Sequence, residues 1–322
     1  GAAGCKCSSK QQTQEQDQFL FHHAASIMRS SISLVTDLVA ATLLQLHQDL
    51  EGHSVIKRAK VKPRLALHLV EAINQRIAVD VQLARGFGEV QAVIEEGFDG
   101  MLLRMQSTIG AVNTEVFVPL VGRFNVSNLL LIYGCGVALG VDPMEVLRIL
   151  SGLKPVNGRF ETIHSTKGWT GIIDYAHTPD AVENVLKTIN EIVAANASKQ
   201  AQAAQVITVV GCGGNRDKGK RPIMARIAFE HSTQLILTSD NPRDEAPHAI
   251  LQDMATGLTA EELQRVLIIE DRESAIKTAC TLARPSDVVL VAGKGHEDYQ
   301  IIKGIKHHFD DHEVVRTCAG LV

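Results

Sequence analysis

The chain has 322 residues, 45% of them apolar, and a formal net charge of −4. That length and apolar content suit two folded cores, and the near-neutral charge gives no electrostatic case for nucleic acid or an anionic membrane as a partner. The six cysteines (Cys5, Cys7, Cys135, Cys212, Cys280 and Cys318) form no CxxC pair, so neither a disulfide framework nor a cysteine zinc site is suggested and a reducing, cytoplasmic setting fits best.

Residues 1–18 are polar and Gln-rich and read as disordered. Residues 19–90 read as helix-prone with no usable motif. The apolar-rich part of that stretch is broken by His22, His23, Arg29 and Asp37, so it falls short of the roughly 18 uninterrupted apolar residues of a membrane span. The sequence starts at Gly1 rather than Met, as a fragment or a processed chain would.

From Gly97 onward the signals sharpen. Residues 101–105 and 115–121 read as strands, and 125–139 as an apolar helix with Asn125 as its N-cap. Asp142-Pro143-Met144-Glu145 opens a further helix, with Asp as cap, Pro in the first turn and Glu three residues on; Gly152 ends it. After Pro155, strands at 171–175, 206–210, 234–238, 266–269 and 287–292 alternate with helices at 179–195, 222–231, 246–257, 271–283 and 310–320. The 179–195 stretch spaces Val182, Val185, Leu186, Ile189, Ile192 and Val193 three and four apart, one helical face. Apolar strands alternating with helices predict an α/β, Rossmann-like, doubly wound parallel sheet. In such sheets ligands bind beyond the carboxyl ends of the strands.

Four polar clusters fall at those ends: 174–179, 212–221, 240–243 and 293–297. One such cluster alone would be turn chemistry, but four at one edge predict a cleft carrying both charge signs. The second nearly spells a P-loop, with Gly214, Gly219 and Lys220 in register. The pattern ends in Ser or Thr, whereas this chain has Arg221, which offers no hydroxyl to Mg²⁺. A loop that keeps the glycines and bases but loses the metal ligand suits an anionic or zwitterionic ligand better than ATP hydrolysis. Arg216 and Arg243 can each fork onto a carboxylate, and Asp240 and Glu297 can accept an ammonium. An amino acid carries both groups. His177 and His296 are equally explained as structural hydrogen-bonders. Asn128 could read an adenine edge, and Arg159, at the apparent domain junction, could reach a phosphate.

The strings GRFNVSNLL (122–130), PVNGRFE (155–161), DYAHTPDA (174–181), GCGGNRDKGKRP (211–222), SDNPRDE (239–245) and AGKGHEDYQ (292–300) occur in this order. Together they resemble the Mur ligase family, most closely its diaminopimelate-adding (MurE) type, from about residue 91 to the end. The resemblance implies an ATP-dependent amide ligase with ATP and Mg²⁺ as cofactors. It adds meso-diaminopimelate to a UDP-N-acetylmuramoyl dipeptide through an acyl phosphate, in the cytoplasm and as a monomer. It further implies that Arg216, Asp240, Asn241, Pro242, Arg243, Gly293 and Glu297 bind meso-diaminopimelate, and that Asn128, Arg159 and Asp174 surround the nucleotide. The Arg of DNPR is absent from lysine-adding relatives, so Arg243 favours diaminopimelate.

The family's GTxGKT P-loop string does not occur in the 322 residues. Its Mg²⁺-ligating Glu and modified Lys have no recognisable counterparts, so no catalytic or metal residue is assigned. The expected organisation is 1–90 unassigned, 91–157 a remnant of the central ATP-binding domain, and 158–322 a complete amino-acid-binding domain. Two functions follow: the ligase itself, or a diamino-acid-binding remnant without catalysis.

Overall fold

A computed structural model of the chain describes residues 89–107, 112–138, 141–153, 155–197 and 203–321. The disordered and helical expectations for residues 1–88 lie outside the described residues. The chain divides into two compact units. Described residues of one are 89–91, 105–107, 112–114, 126–138 and 141–151; the other takes 92–104, 115–125, 152–153, 155–197 and 203–321.

The second unit is organised on a six-stranded sheet. Its strands are β4 (Glu161–His164), β5 (Thr170–Asp174), β6 (Val206–Cys212), β7 (Gln234–Ser239), β8 (Val266–Ile268) and β9 (Val288–Ala292), in the order β4-β5-β9-β6-β7-β8. β4 runs antiparallel to β5, and the remaining pairings are parallel. Between and after the strands come α3 (Pro179–Asn196), α4 (Lys220–Glu230), α5 (Pro247–Ala255), the short α6 (Ala260–Leu263), α7 (Arg272–Leu282) and α8 (Asp311–Ala319). Their starts follow the caps written in the sequence. Thr178, Thr259, Asp271 and Asp310 each accept a backbone N–H from the first turn of α3, α6, α7 and α8.

Strand periodicity divides the core in two. Val206, Val210, Leu290 and Ala292 pack with α3, α4 and α5 on one face; Ile207, Val209, Val289 and Val291 pack with α7 and α8 on the other. Covered on both faces, β6 and β9 are buried at every residue, which is why they read as continuous apolar runs rather than alternating ones. The doubly wound sheet predicted from sequence is therefore present, with strand ends within two residues of expectation.

Four features of the fold escaped the sequence reading. β1 (Glu89–Gly97) precedes β2 (Gly100–Ser107) and β3 (Val112–Val118) in a three-stranded sheet; its glutamates and alanine are depleted in strands and mask it. The edge strand β4 has four residues. β10 (Tyr299–Ile302) and β11 (Ile305–His308) form a hairpin closed by Lys303 and Gly304, both at positive φ, a two-residue turn whose signal is the glycine. The fourth is the single turn of α6. α1 (Phe124–Ala138) begins one residue before Asn125. Asn125 is therefore no N-cap: its amide donates back to Val121 O at 2.7 Å. Asp142 does cap α2 (Pro143–Ser151), accepting from Met144 N and Glu145 N. Among the described residues no helix is long and apolar enough to cross a membrane.

Below the carboxyl edge of the large sheet lies a fully buried ion pair. Arg272, first residue of α7, donates twice to the carboxylate of Asp311, first residue of α8, at 2.7 Å each. Its remaining donors reach Ser239 O at 3.3 Å and Ala292 O at 3.1 Å, the last carbonyls of β7 and β9. Removing one partner of a buried pair leaves an uncompensated charge and costs about 3–5 kcal/mol. Arg272→Ala and Asp311→Ala should each lower the urea unfolding free energy by that order. The double variant should lose less than the sum, since both changes delete one interaction; full additivity would show that the two side chains act separately.

Candidate functional site

The four polar clusters do converge beyond the carboxyl ends of β5, β6, β7 and β9. After β7, Asp240 and Asn241 are buried, and Asn241 is held at both ends of its amide. Its Oδ1 accepts from Ile301 N at 2.8 Å and Lys294 Nζ at 3.4 Å, while its Nδ2 donates to Glu297 Oε2 at 2.9 Å. Lys294, fully buried, also donates to Tyr299 O and lies 3.7 Å from Glu297 Oε2. Burial pushes the Lys294 ammonium below its ordinary range, with the Asp240 carboxylate opposing that shift. Gly293, at φ +121°, lies so close to Asp240 that an added Cβ would stand 2.7 Å from its Oδ2. Asp240, Asn241, Gly293 and Glu297 thus form one contiguous wall.

The opposite wall is built by the loop after β6. Gly214 N donates to Asn241 O at 2.9 Å, tying it to the 240–243 turn that Pro242 shapes. Arg243 adopts φ +55°, donates from Nη1 to Gly214 O at 2.9 Å and Asn241 O at 3.3 Å, and is half-buried. A Cβ on Gly213 would lie 2.8 Å from Arg243 Nη1 and 3.6 Å from Arg216 Cγ, so both arginines border that glycine. Arg216 is exposed. The backbone of Arg243 is clasped by the hairpin, its N donating to Ile301 O at 2.9 Å and its O accepting from Lys303 N at 2.7 Å.

Arg221, where a P-loop would carry its hydroxyl, is a strut. Fully buried, it donates from both Nη atoms to Glu245, from Nη1 to Asp253 and from Nη2 to Gly213 O. Its guanidinium holds the Glu245 carboxyl down to about 2, and Glu245 also accepts from Asn215 N. This network braces the basic loop against the 240–245 turn. Burial pushes the Cys212 thiol up to about 12, which leaves it protonated and inert.

A second group lies around β5. Asp174 Oδ2 accepts from Phe160 N at 2.7 Å and Oδ1 from Ala176 N at 2.8 Å. Burial nonetheless raises its pKa to about 6, against those two bonds and the nearby Arg159 charge. Arg159 is half-buried, with Cζ 5.0 Å from the centre of the Tyr175 ring. It also lines a cavity of ≈ 360 Å³ with Val121, Asn125, Pro155 and Phe160, near the lower size limit of small-ligand pockets. Gly158 N donates to Glu161 Oε2 at 2.8 Å, and Glu161 Oε1 meets His312 Nε2 at 2.8 Å.

The structure therefore gathers Arg216, Asp240, Asn241, Pro242, Arg243, Gly293 and Glu297 at one edge, with Arg159 and Asp174 at the neighbouring strand end. Asn128 is buried on α1, within the other compact unit. Sequence reasoning missed Lys294, Tyr175, Arg272 and Asp311. The first two lie inside the family-like strings; no sequence signal singles out the last two. Among the described residues no group of three or more His, Cys, Asp and Glu side chains is arranged to hold a metal ion.

The description "Mur ligase, glutamate ligase domain" matches residues 158–295. The UDP-N-acetylmuramoyl-L-alanyl-D-glutamate–2,6-diaminopimelate ligase of Phocaeicola vulgatus is 53% identical over 249 residues, covering 77% of this chain and 49% of that relative. The ligase of the same name from Lactiplantibacillus plantarum is 47% identical over 208 residues, covering 65% and 40%. A solved structure titled as that ligase superposes with a TM-score of 0.53 at 37% identity, covering 70% of this chain and 44% of its own. The chain spans about half the length of the curated relatives it matches.

Because folding raises the pKa of Asp174 from 3.8 to about 6, the stability tied to its protonated form is complete below pH 3.8 and is lost as pH rises through 6. The loss amounts to about 3 kcal/mol. Urea unfolding of the parent and of Asp174→Asn, compared at pH 4 and pH 7, should show a difference between the two proteins that changes with pH by that order. A pH-independent difference would mean that Asp174 titrates normally.

Proposed function

The C-terminal part of this chain belongs to the Mur ligase family, and from that premise we propose that it is the amino-acid-binding portion of an ATP-dependent ligase that joins meso-diaminopimelate to UDP-N-acetylmuramoyl-L-alanyl-D-glutamate in peptidoglycan precursor synthesis. Residues 91–157 would close the central ATP-binding domain and 158–322 form the amino-acid-binding domain. The family match beginning at 158 supports that division. A cytoplasmic, monomeric protein belongs to the same reading.

The observation that carries the proposal is the pairing of two arginines with two acids around one held amide. Meso-diaminopimelate bears two carboxylates and two ammonium groups. Arg243 would hold the distal carboxylate and Arg216, which also borders Gly213, the other one, a geometry that favours guanidinium over lysine. Glu297 and Asp240 would accept ammonium protons. Asn241, with Oδ1 occupied by Ile301 N and Lys294, presents its Nδ2 edge as a donor in fixed orientation. Pro242 and Gly293 keep the wall thin enough for close approach.

ATP would supply the phosphoryl group that converts the D-Glu carboxylate into an acyl phosphate. On this side of the reaction the chain's residues hold the diamino acid so that one amine, once deprotonated, faces that carbonyl. The C–N bond forms, the C–O bond to phosphate breaks, and phosphate departs with the electron pair. Arg159 and Asp174 would face the nucleotide phosphates and ribose; a contact of Asn128 with a base is implied by the resemblance alone. No step is assigned to Mg²⁺, for which the described residues offer no cluster.

A second reading, a diamino-acid-binding piece without catalysis, is favoured by one feature: no GTxGKT string occurs in the 322 residues.

Calorimetric titration should show Arg243→Ala binding meso-diaminopimelate about tenfold more weakly or worse, since charge-assisted hydrogen bonds contribute about 1.5–3 kcal/mol. Affinity for L-lysine, which lacks the distal carboxylate, should not change. An unaltered ratio between the two ligands would sink the assignment of Arg243. The purified chain mixed with ATP, the UDP-linked dipeptide and meso-diaminopimelate is expected to release no ADP. ADP release coupled to tripeptide formation would overturn the second reading and reveal an activating site outside the residues named here.

A further inference from the structure

Tyr175 stands between the two groups of residues described above and touches both. Its ring lies under the Arg159 guanidinium at 5.0 Å, a cation–π distance. Its hydroxyl points to Glu297 Oε1 at 3.5 Å, a long hydrogen bond. The other oxygen of Glu297 is already engaged by Asn241 Nδ2 at 2.9 Å, with Lys294 Nζ at 3.7 Å, so the tyrosine is the group set to hold the free one. Burial and the Glu297 charge push the Tyr175 hydroxyl above its ordinary range, which keeps it a donor.

The ring has little room to turn. His177 meets it edge-on at 4.6 Å and His296 lies tilted at 5.3 Å. His177 is anchored in turn by Nδ1 to Tyr175 O at 2.8 Å and by its carbonyl, which accepts from Lys220 Nζ at 2.6 Å. From the third side comes Gly295, where a Cβ would stand 2.7 Å from Tyr175 Cβ and 2.7 Å from Gly158 O. The backbone that carries Arg159 is thus packed against the backbone that carries Glu297, with this one ring between their side chains.

We propose that Tyr175 is a positioning residue shared by the two halves of the site, its ring supporting Arg159 for an anionic phosphate ligand and its hydroxyl holding Glu297 for the ammonium of an amino acid. The inference rests on the function proposed above and adds a residue that acts on both ligands through others. Two groups braced on one rigid ring cannot reorganise independently, so occupancy of one half biases the other, and such coupling is reciprocal.

The test is calorimetric titration of the chain with meso-diaminopimelate and with ATP, separately, for the parent, Tyr175→Phe and Tyr175→Leu, with melting temperatures measured alongside. Tyr175→Phe deletes the hydroxyl and keeps the ring; diaminopimelate affinity should fall about fivefold while ATP affinity stays within about twofold of the parent. Tyr175→Leu deletes both, and both affinities should fall about fivefold. The split produced by Tyr175→Phe, weaker diaminopimelate binding with ATP binding kept, is the readout that a mere packing role would not give. The inference is overturned if Tyr175→Phe binds diaminopimelate like the parent, if Tyr175→Leu binds ATP like the parent, or if Tyr175→Phe weakens both ligands equally. A parent that binds only one of the two ligands has no shared site, which overturns this inference alone. A parent that binds neither also overturns the reading on which it rests.

Discussion

Arg272 and Asp311 are both fully buried, and their pair ties together the strand ends from which loops of the candidate site leave. A guanidinium with no access to water must satisfy its donors inside the protein. Here it does so through the Asp311 carboxylate and the carbonyls of Ser239 and Ala292. Those carbonyls end β7 and β9, one residue before Asp240 and Gly293. The first turns of α7 and α8, which carry the two partners, are bound by the same group. The strand ends therefore cannot splay or shift in register without stranding a charge. The acid wall of the site inherits its rigidity from beneath.

A second buried arginine plays the matching part for the basic wall. Arg221 spends its donors on Glu245, Asp253 and Gly213 O, which fixes the glycine-rich loop to the turn that carries Arg243. The loop's likeness to a nucleotide-binding motif is thus local. The glycines allow close backbone approach in both settings, but here the approach is to Asn241 and Pro242, and the basic residue at the end faces inward as structure. The same glycine-rich string can serve either purpose, and the neighbours of its last position decide which.

Most of this was legible in the sequence because the signals were strong and local. The continuous apolar runs of β6, β7 and β9 and the helical spacing of 179–195 placed the large sheet, and the rule of carboxyl-end binding placed the site. What was not legible depended on distance. Arg272 and Asp311 are 39 residues apart, and nothing in either neighbourhood announces a partner. Lys294 and Tyr175 lay within recognised strings, yet their roles arise from partners distant in the chain, Asn241 for Lys294 and Glu297 for Tyr175, which the sheet brings near. β4 and the β10–β11 hairpin are short and polar, so their pairing is set by neighbours rather than by propensity. Asn125 looked like a cap because its type favours one; its amide turned instead to Val121 O.

The β10–β11 hairpin fixes a length as well as a shape. By hydrogen-bonding on both sides of Arg243, at Ile301 O and Lys303 N, it adds that residue to β10 as though it were one link of a further strand. Ile301 also donates to Asn241 Oδ1. One stretch of backbone therefore sets the spacing between the held amide and the distal arginine. On the proposed reading, that spacing makes the site a ruler. It would accept a diamino diacid by the separation of its two ends as much as by their charge, and a homologue one methylene shorter or longer would present the right groups at the wrong length.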